Sequence, residues 1–373
     1  MRAIITGQVG LDKKSFLEQT AKLAQANGED LVIHHIGDMM YREAPDVRPG
    51  RILDLPLSRL NSLRRAVFRD ILADMNNHKH VIVNTHATFR WKHGLFSAFD
   101  FDQLAAFDAD MYVTLVDNIE AVHQRMLRDH DFEHSLKDLM VWREEEILAT
   151  EILARSIRRT AAAKFFVLSR GRHHMTSESL FRLMFRPNMK TVYPSFPMSH
   201  VMDLPDILAQ IDAFRNRIAE KMIAFDPGDV DEKTLSDLAI KAATEGKAAI
   251  TVTVNGSPMS LKTADILQIV PDIDGQIYAR DFMLVRQSDM IVSYIPELPG
   301  PGGGGKPGLS SGVERELQHA HEHAKDVYVI WKPKKDPSPF ITQTANKVFR
   351  SVDEAFVFFE KKGYFQPHSL FGS

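Results

Sequence analysis

The sequence predicts an α/β protein with two parallel sheets in series. Three observations predict it. Short apolar runs alternate with stretches of helical spacing along the whole chain. The first run ends in a glycine turn that opens directly into a helix. A polar, basic stretch at 171–190 interrupts the pattern, after which the strand–helix order begins again.

The elements follow in order. Strands are expected at 3–6, 31–36, 81–84, 111–116 and 165–168, each brief and apolar. Helical spacing links them, through Phe16, Leu17, Ala21 and Leu23, then at 60–75, 119–127 and 139–157. In the second half, strands are expected at 191–193, 248–254, 290–295 and 327–331, with helices at 204–222 and 235–243. A chain of 373 residues is long for one core, so the division expected is a domain at 1–170, a linker at 171–190 and a domain at 191–373. The glycine stretch at 300–308 is either a connector or a flap.

Composition narrows function. With 46 basic and 49 acidic residues the net charge is -3, which argues against a general nucleic-acid surface. There is no cysteine, so disulfides, thiolate catalysis and cysteine-held zinc are excluded. No apolar run approaches the roughly 20 residues a membrane span needs, and the N-terminus reads as a strand. A cytoplasmic enzyme of small molecules is expected. His319 and His323 share a helix face, but no third ligand accompanies them, and no metal site is assigned.

Gly7, Gly10, Lys13, Lys14 and Ser15 lie between the first strand and the first helix. Glycines there let backbone N–H groups turn to a phosphate, the helix N-terminus adds its dipole, and a lysine reaches outward phosphates. The bland alternative is a glycine turn beside a solvated lysine pair. Asp38 and Arg42 follow the second strand in Ile36-Gly-Asp-Met-Met-Tyr-Arg42. The third strand ends in Asn84-Thr-His-Ala-Thr-Phe-Arg90, and Arg125 and Arg128 lie on a later helix. This ordered set resembles the adenylate kinases, the archaeal type above all. Asp12 stands where that family has its last loop glycine, and Asn84 where it has an acid. The resemblance covers residues 1–170. It implies a P-loop kinase-like domain that takes ATP with Mg2+ and a monophosphate, with Arg42 holding the acceptor phosphate and Arg125 and Arg128 clamping phosphates. For the last two, an exposed ion-paired helix face is the alternative.

The second half carries Tyr193 and Ser195 on its first strand, then Asp281 and Asp289 eight residues apart, then Ser310-Ser311-Gly312-Val-Glu-Arg-Glu316-Leu opening a helix. Two acids of this kind suit N-glycosidic cleavage. One carboxylate attacks the anomeric carbon, and a second acid protonates the leaving base. A surface helix carboxylate is the alternative for Glu316, and a strand-start cap for Asp289. The set resembles the nucleoside 2-deoxyribosyltransferase superfamily, including the 2′-deoxynucleoside 5′-monophosphate N-glycosidases, over residues 191–365. The resemblance implies a flavodoxin/Rossmann-like α/β domain without a cofactor. It casts Glu316 as nucleophile, Asp289 as the acid serving the base, Tyr193 as the residue orienting the nucleophile, and Ser310, Ser311 and Gly312 as a phosphate turn. Asp281 is a further candidate acid, and Ser195 a further candidate for nucleotide or phosphate binding. The resemblance also implies a homo-oligomer, with nucleotides as the ligands.

Overall fold

The computed structural model describes residues 1–130, 134–158, 161–171, 176–198, 201–300 and 305–365. The fold is α/β with parallel sheets, as the alternating pattern predicts. Two compact units emerge: unit 1 is 1–180 with 229–275, and unit 2 is 181–228 with 276–373.

Unit 1 begins with β1 (Arg2–Thr6), α1 (Lys13–Ala26), β2 (Leu31–His35), α2 (Ile36–Glu43), α3 (Leu57–Asp74) and β3 (His80–Asn84). A small hairpin of β4 (Thr88–Trp91) and β5 (Gly94–Ser97) leads through α4 (Phe101–Phe107) to β6 (Met111–Val116). Then come α5 (Ile119–Asp129), α6 (Leu136–Ser156), β7 (Lys164–Ser169) and α7 (Thr176–Phe185). The sheet order is β2-β3-β1-β6-β7, all parallel, with Ile4 opposite Val83 and Ile5 opposite Val113. Every residue of β6 is buried, as a parallel strand covered on both faces requires. The strand order changes direction at β1, so the loop after β1 opens at the crevice where such sheets take ligands.

Unit 2 begins with β8 (Thr191–Ser195), α8 (Pro205–Lys221) and β9 (Ile223–Ala224). The chain then returns to unit 1 with α9 (Lys233–Thr244), β10 (Ala249–Val254) and β11 (Ser257–Lys262). The last two form an antiparallel hairpin, turned by Asn255-Gly256 with both residues at positive φ. Helix α10 (Thr263–Gln287) leads to β12 (Met290–Ile295), the short strands β13 (Glu297–Leu298) and β14 (Lys306–Pro307), and α11 (Ser311–Glu322). β15 (Asp326–Trp331), α12 (Pro339–Thr344), β16 (Lys347–Phe349) and α13 (Val352–Lys361) complete it. The sheet order is β16-β15-β12-β8-β9, again parallel. Its core packs Val192, Phe214, Ile218, Val292, Tyr294, Ile330, Phe349 and Phe359.

The domain expectation needs correcting in two ways. The described part of 171–190 is largely helix α7, with Leu180, Phe181 and Met184 buried, because its apolar residues recur at helical spacing. Residues 172–175, which include the His173-His174 pair, lie outside the described residues, as do 301–304 of the glycine stretch. Residues 229–275 belong to unit 1 despite lying in the C-terminal half. A buried pair binds them there. Arg143 on α6 donates to both oxygens of Glu232, at 2.6 and 2.9 Å, while Glu232 also accepts the Ile119 N–H that opens α5. Such fork-to-fork pairing satisfies both charges away from water. No described helix is long and apolar enough to cross a membrane.

Candidate functional sites

In unit 1 the loop between β1 and α1 has the geometry its glycines demand. Gly7 has φ 134 and Gly10 φ 86. A side chain at Gly7 would come within 2.7 Å of the Leu115 carbonyl, and one at Gly10 within 2.9 Å of Met126. Asp12 adopts the left-handed conformation, φ 51, that aspartate tolerates better than most residues. Its carboxylate turns to Arg170, 3.0 Å away, so the charge is neutralised beside the loop. An acid at this position would otherwise repel a phosphate in the loop.

Lys13 is buried at the loop's base. Its Nζ donates to the Gly7 carbonyl at 2.5 Å and lies 3.2 Å from His86 Nδ1. Burial pulls its ammonium down to about 7, against the attraction of Glu146. Burial, with Lys13 nearby, also holds the His86 imidazole well below its ordinary value. Glu146, on α6, is fully buried and accepts four hydrogen bonds: from the N–H groups of Gly7, Ala87 and Thr88 at 2.7–2.8 Å, and from the Thr88 hydroxyl at 2.8 Å. It ties the first loop glycine to the segment after β3. Burial raises its carboxyl in spite of those donors. The sequence shows Glu146 only as one of three consecutive glutamates, and its inward position comes from the phase of α6.

The loop opens onto a cavity of about 400 Å³. The lining includes Lys13, Lys14, Asp38, Asn84, His86 and Arg64. Other expected phosphate ligands lie elsewhere. Arg42 is exposed and does not line the cavity. Arg90 is held by Glu145 at 2.6 Å, and Arg128 by the adjacent Asp129, also at 2.6 Å. Arg125 is buried, bonded to Asp117 at 2.7 Å and to the Gly10 carbonyl at 3.0 Å, so it braces the loop from behind. Lys14 pairs with Asp38 at 2.7 Å in solvent. Ser15 is half-buried in the first turn of α1. Asn84 donates to His35, and its Oδ1 has no hydrogen-bond partner among the described residues.

In unit 2 the chemistry gathers at the C-terminal edge between β8 and β12. Tyr193 and Ser195 are two apart on one strand and so share a face. Helix α11 turns Val313, Leu317 and Ala320 inward, and Glu316, three after Val313 and four before Ala320, lies on that face. The Tyr193 hydroxyl donates to Glu316 Oε1 at 2.8 Å and the Ser195 hydroxyl to Oε2 at 2.6 Å. Burial and the neighbouring Asp281 carboxylate push Glu316 up to about 8, against those two hydroxyls. Burial raises Asp281 to about 6, opposed by Arg280 and helped by Asp226. The two carboxyls interact, so these values belong to the pair, which holds one proton between them. Both Glu316 oxygens accept hydrogen bonds, whereas Asp281 Oδ1 has no partner among the described residues. Glu316 carries the higher of the two values, so at neutral pH the proton rests on Glu316 and Asp281 is the anion.

Asp289 is not part of this cluster. It is exposed, and its Oδ2 accepts the Thr191 N–H at 2.9 Å while its own N–H donates to the Thr191 hydroxyl. It therefore caps the start of β8. Residues 293 and 195 are paired across β12 and β8, which puts 289 at the far end of both strands from Glu316. Asp281, eight residues earlier and on α10, is the acid whose charge acts on Glu316. Ser310 caps α11 by accepting the Val313 N–H, with Ser311 and Gly312 exposed in its first turn. Asp226, buried and bonded to Arg215 at 2.7 Å, is an acid near the site that spacing did not single out.

Comparison with known proteins bears on unit 1. No curated protein matches the chain. Among solved structures, a gluconokinase from Sinorhizobium meliloti 1021 aligns at 15% identity with a TM-score of 0.30, covering 49% of this chain and 93% of its own. The PezAT chromosomal toxin-antitoxin system of Streptococcus pneumoniae aligns at 9% identity with a TM-score of 0.28, covering 59% and 88%. Residues 6–143 match the family model described as an AAA domain. With the loop after β1, that match makes the N-terminal part of the chain a P-loop nucleotide-binding domain.

Proposed function

We propose that the protein is a nucleotide enzyme whose second unit breaks the N-glycosidic bond of a (deoxy)nucleoside 5′-monophosphate, while its P-loop unit binds ATP. One observation carries the glycosidic reading: a half-buried carboxylate, Glu316, is held on both oxygens by Tyr193 and Ser195 and coupled to a second half-buried acid, Asp281. In the proposed reaction the proton of the pair passes from Glu316 to Asp281 as substrate binds, and the Glu316 carboxylate attacks the anomeric carbon. The C–N bond breaks with its electron pair going to the base, and Asp281 delivers the proton the base needs. Water then attacks the glycosyl ester, Asp281 takes its proton, and free sugar phosphate leaves with Glu316 restored. A second nucleoside base in place of water would give exchange. The start of α11, at Ser310, Ser311 and Gly312, offers N–H groups for the substrate phosphate.

Chromatography for released base, with each deoxynucleoside monophosphate in turn, tests this. Release from at least one, lost in Glu316→Ala, is the expected result. No release from any of them, from a chain with wild-type unfolding behaviour, defeats the reading.

A second reading, phosphoryl transfer in unit 1, is favoured by the buried Lys13 and the AAA-domain match. Mg2+ would arrive with the triphosphate and be held largely by phosphate oxygens. Ser15 is the loop hydroxyl, and the unpartnered Asn84 Oδ1 is a neutral oxygen that suits its water shell. ATP-dependent conversion of a monophosphate to a diphosphate, abolished by Lys13→Ala, is its test.

A further inference from the structure

We infer that Arg64, on α3, anchors the phosphate of a phosphomonoester in the cavity beside the P-loop. The inference rests on the nucleotide-binding reading of unit 1 and names the group that reads its second ligand.

Arg64 is 4% exposed, yet it faces the cavity that Lys13 and His86 also line. One of its nitrogens, Nη1, donates to Asn61 Oδ1 at 3.1 Å and lies 3.4 Å from the Ser97 carbonyl. The other, Nη2, is buried and has no hydrogen-bond partner among the described residues. Its carbon lies 5.8 Å from the centre of the Phe89 ring, so the guanidinium is stacked and oriented. Among the described residues, no carboxylate is bonded to it. Asp100, the acid that acts on it, is itself bonded to Arg65 at 2.8 Å.

A cation kept this dry without a counterion is costly to the fold. Burial accordingly lowers it to about 10, which still leaves it charged at neutral pH. Every other arginine singled out for phosphate binding in this unit is spoken for or outside the cavity. Arg90, Arg125 and Arg128 are paired with acids, and Arg42 is exposed off the lining. The rest of the cavity sets the ligand's class. Leu53, Leu60 and Phe89 make one side apolar, and Asn84 offers an unpartnered amide oxygen. A dianionic phosphate on a flat, hydrogen-bonding organic body fits both, as in a nucleoside monophosphate. The phosphate would lie between Arg64 and Lys13, where a second phosphate held by the loop could approach it.

Hydrogen exchange on the full chain reads this locally, apart from any monophosphate bound in unit 2. AMP, GMP, CMP and UMP are added in turn, with their nucleosides as uncharged controls, and protection is followed over α3 and β3. At least one monophosphate is expected to protect these segments, and its nucleoside about tenfold more weakly. Arg64→Met should raise the half-saturating concentration of that monophosphate by about tenfold or more, and Arg42→Ala by less than about twofold. Arg64→Lys, which keeps the charge and loses the fork, should fall between and serves if Arg64→Met unfolds. Unchanged affinity in the Arg64 variants, or equal loss in Arg42→Ala, overturns the inference. ATP protection of residues 7–15, lost in Lys13→Ala, is measured alongside. ATP protection with no response to any monophosphate defeats Arg64's role alone, while failure of ATP to protect removes the nucleotide reading and this inference with it.

Discussion

Replacing Asp281 with asparagine should inactivate unit 2 and stabilise it at alkaline pH. Glu316 is raised from 4.5 to about 8. At about 1.4 kcal/mol per pH unit, charging it inside the fold costs on the order of 5 kcal/mol more than in water. The sign follows from proton counting. Below about pH 4.5 the group is neutral folded and unfolded, and stability is full. From there to about pH 8 the unfolded chain releases the proton while the fold keeps it, so stability falls; above that it is level. Part of the cost is burial and part is repulsion from Asp281. Asp281→Asn removes that part, and should gain about 2 kcal/mol of stability at about pH 9 and almost none at about pH 4.5. Base release should meanwhile fall by about 10²–10⁴-fold, because an amide cannot protonate the leaving base. Urea unfolding at both pH values, read by pulse proteolysis of peptides from 276–365, gives the stabilities. Equal destabilisation at both pH values, or undiminished base release, would refute the coupling of these two acids.

Three further outcomes are expected. Asp289→Ala should keep base release within about twofold and cost about 1 kcal/mol, the worth of a strand-start hydrogen bond, as activity and urea midpoints would show. Arg143→Met should destabilise unit 1 by about 3–5 kcal/mol by stranding Glu232 in the interior, and the double change Arg143→Met/Glu232→Leu should recover much of it in the same denaturation assay. ATP binding at about pH 8 should take up close to one proton, since Lys13, lowered to about 7, regains its charge beside phosphate. Calorimetry in buffers of different ionisation enthalpy measures this uptake, and it should disappear in Lys13→Ala.

Much of the site was legible because its signals are local. Gly7 and Gly10 mark a turn no other residue fits, and Ser310 with Glu316 marks a helix start followed by an inward turn. Asp281 and Asp289 could not be separated that way. Both flank an apolar run, and only the direction of β12 decides which end carries the chemistry. Arg64 and Glu146 were hidden among charged neighbours, Arg64-Arg65 and Glu144-Glu145-Glu146, where a 100° step along a helix decides which member is buried.

By itself, then, the sequence determined the α/β class, the strands of the first sheet, three of the five strands of the second, and the loop after β1. These follow from periodicity and from backbone conformations that few residues adopt. Tertiary structure alone decided that 229–275 completes unit 1, that Arg64 and not Arg42 faces the cavity, and that Asp281 and not Asp289 is coupled to Glu316. Burial, charge pairing and strand direction join residues far apart in the chain, and no local pattern records which of them will meet.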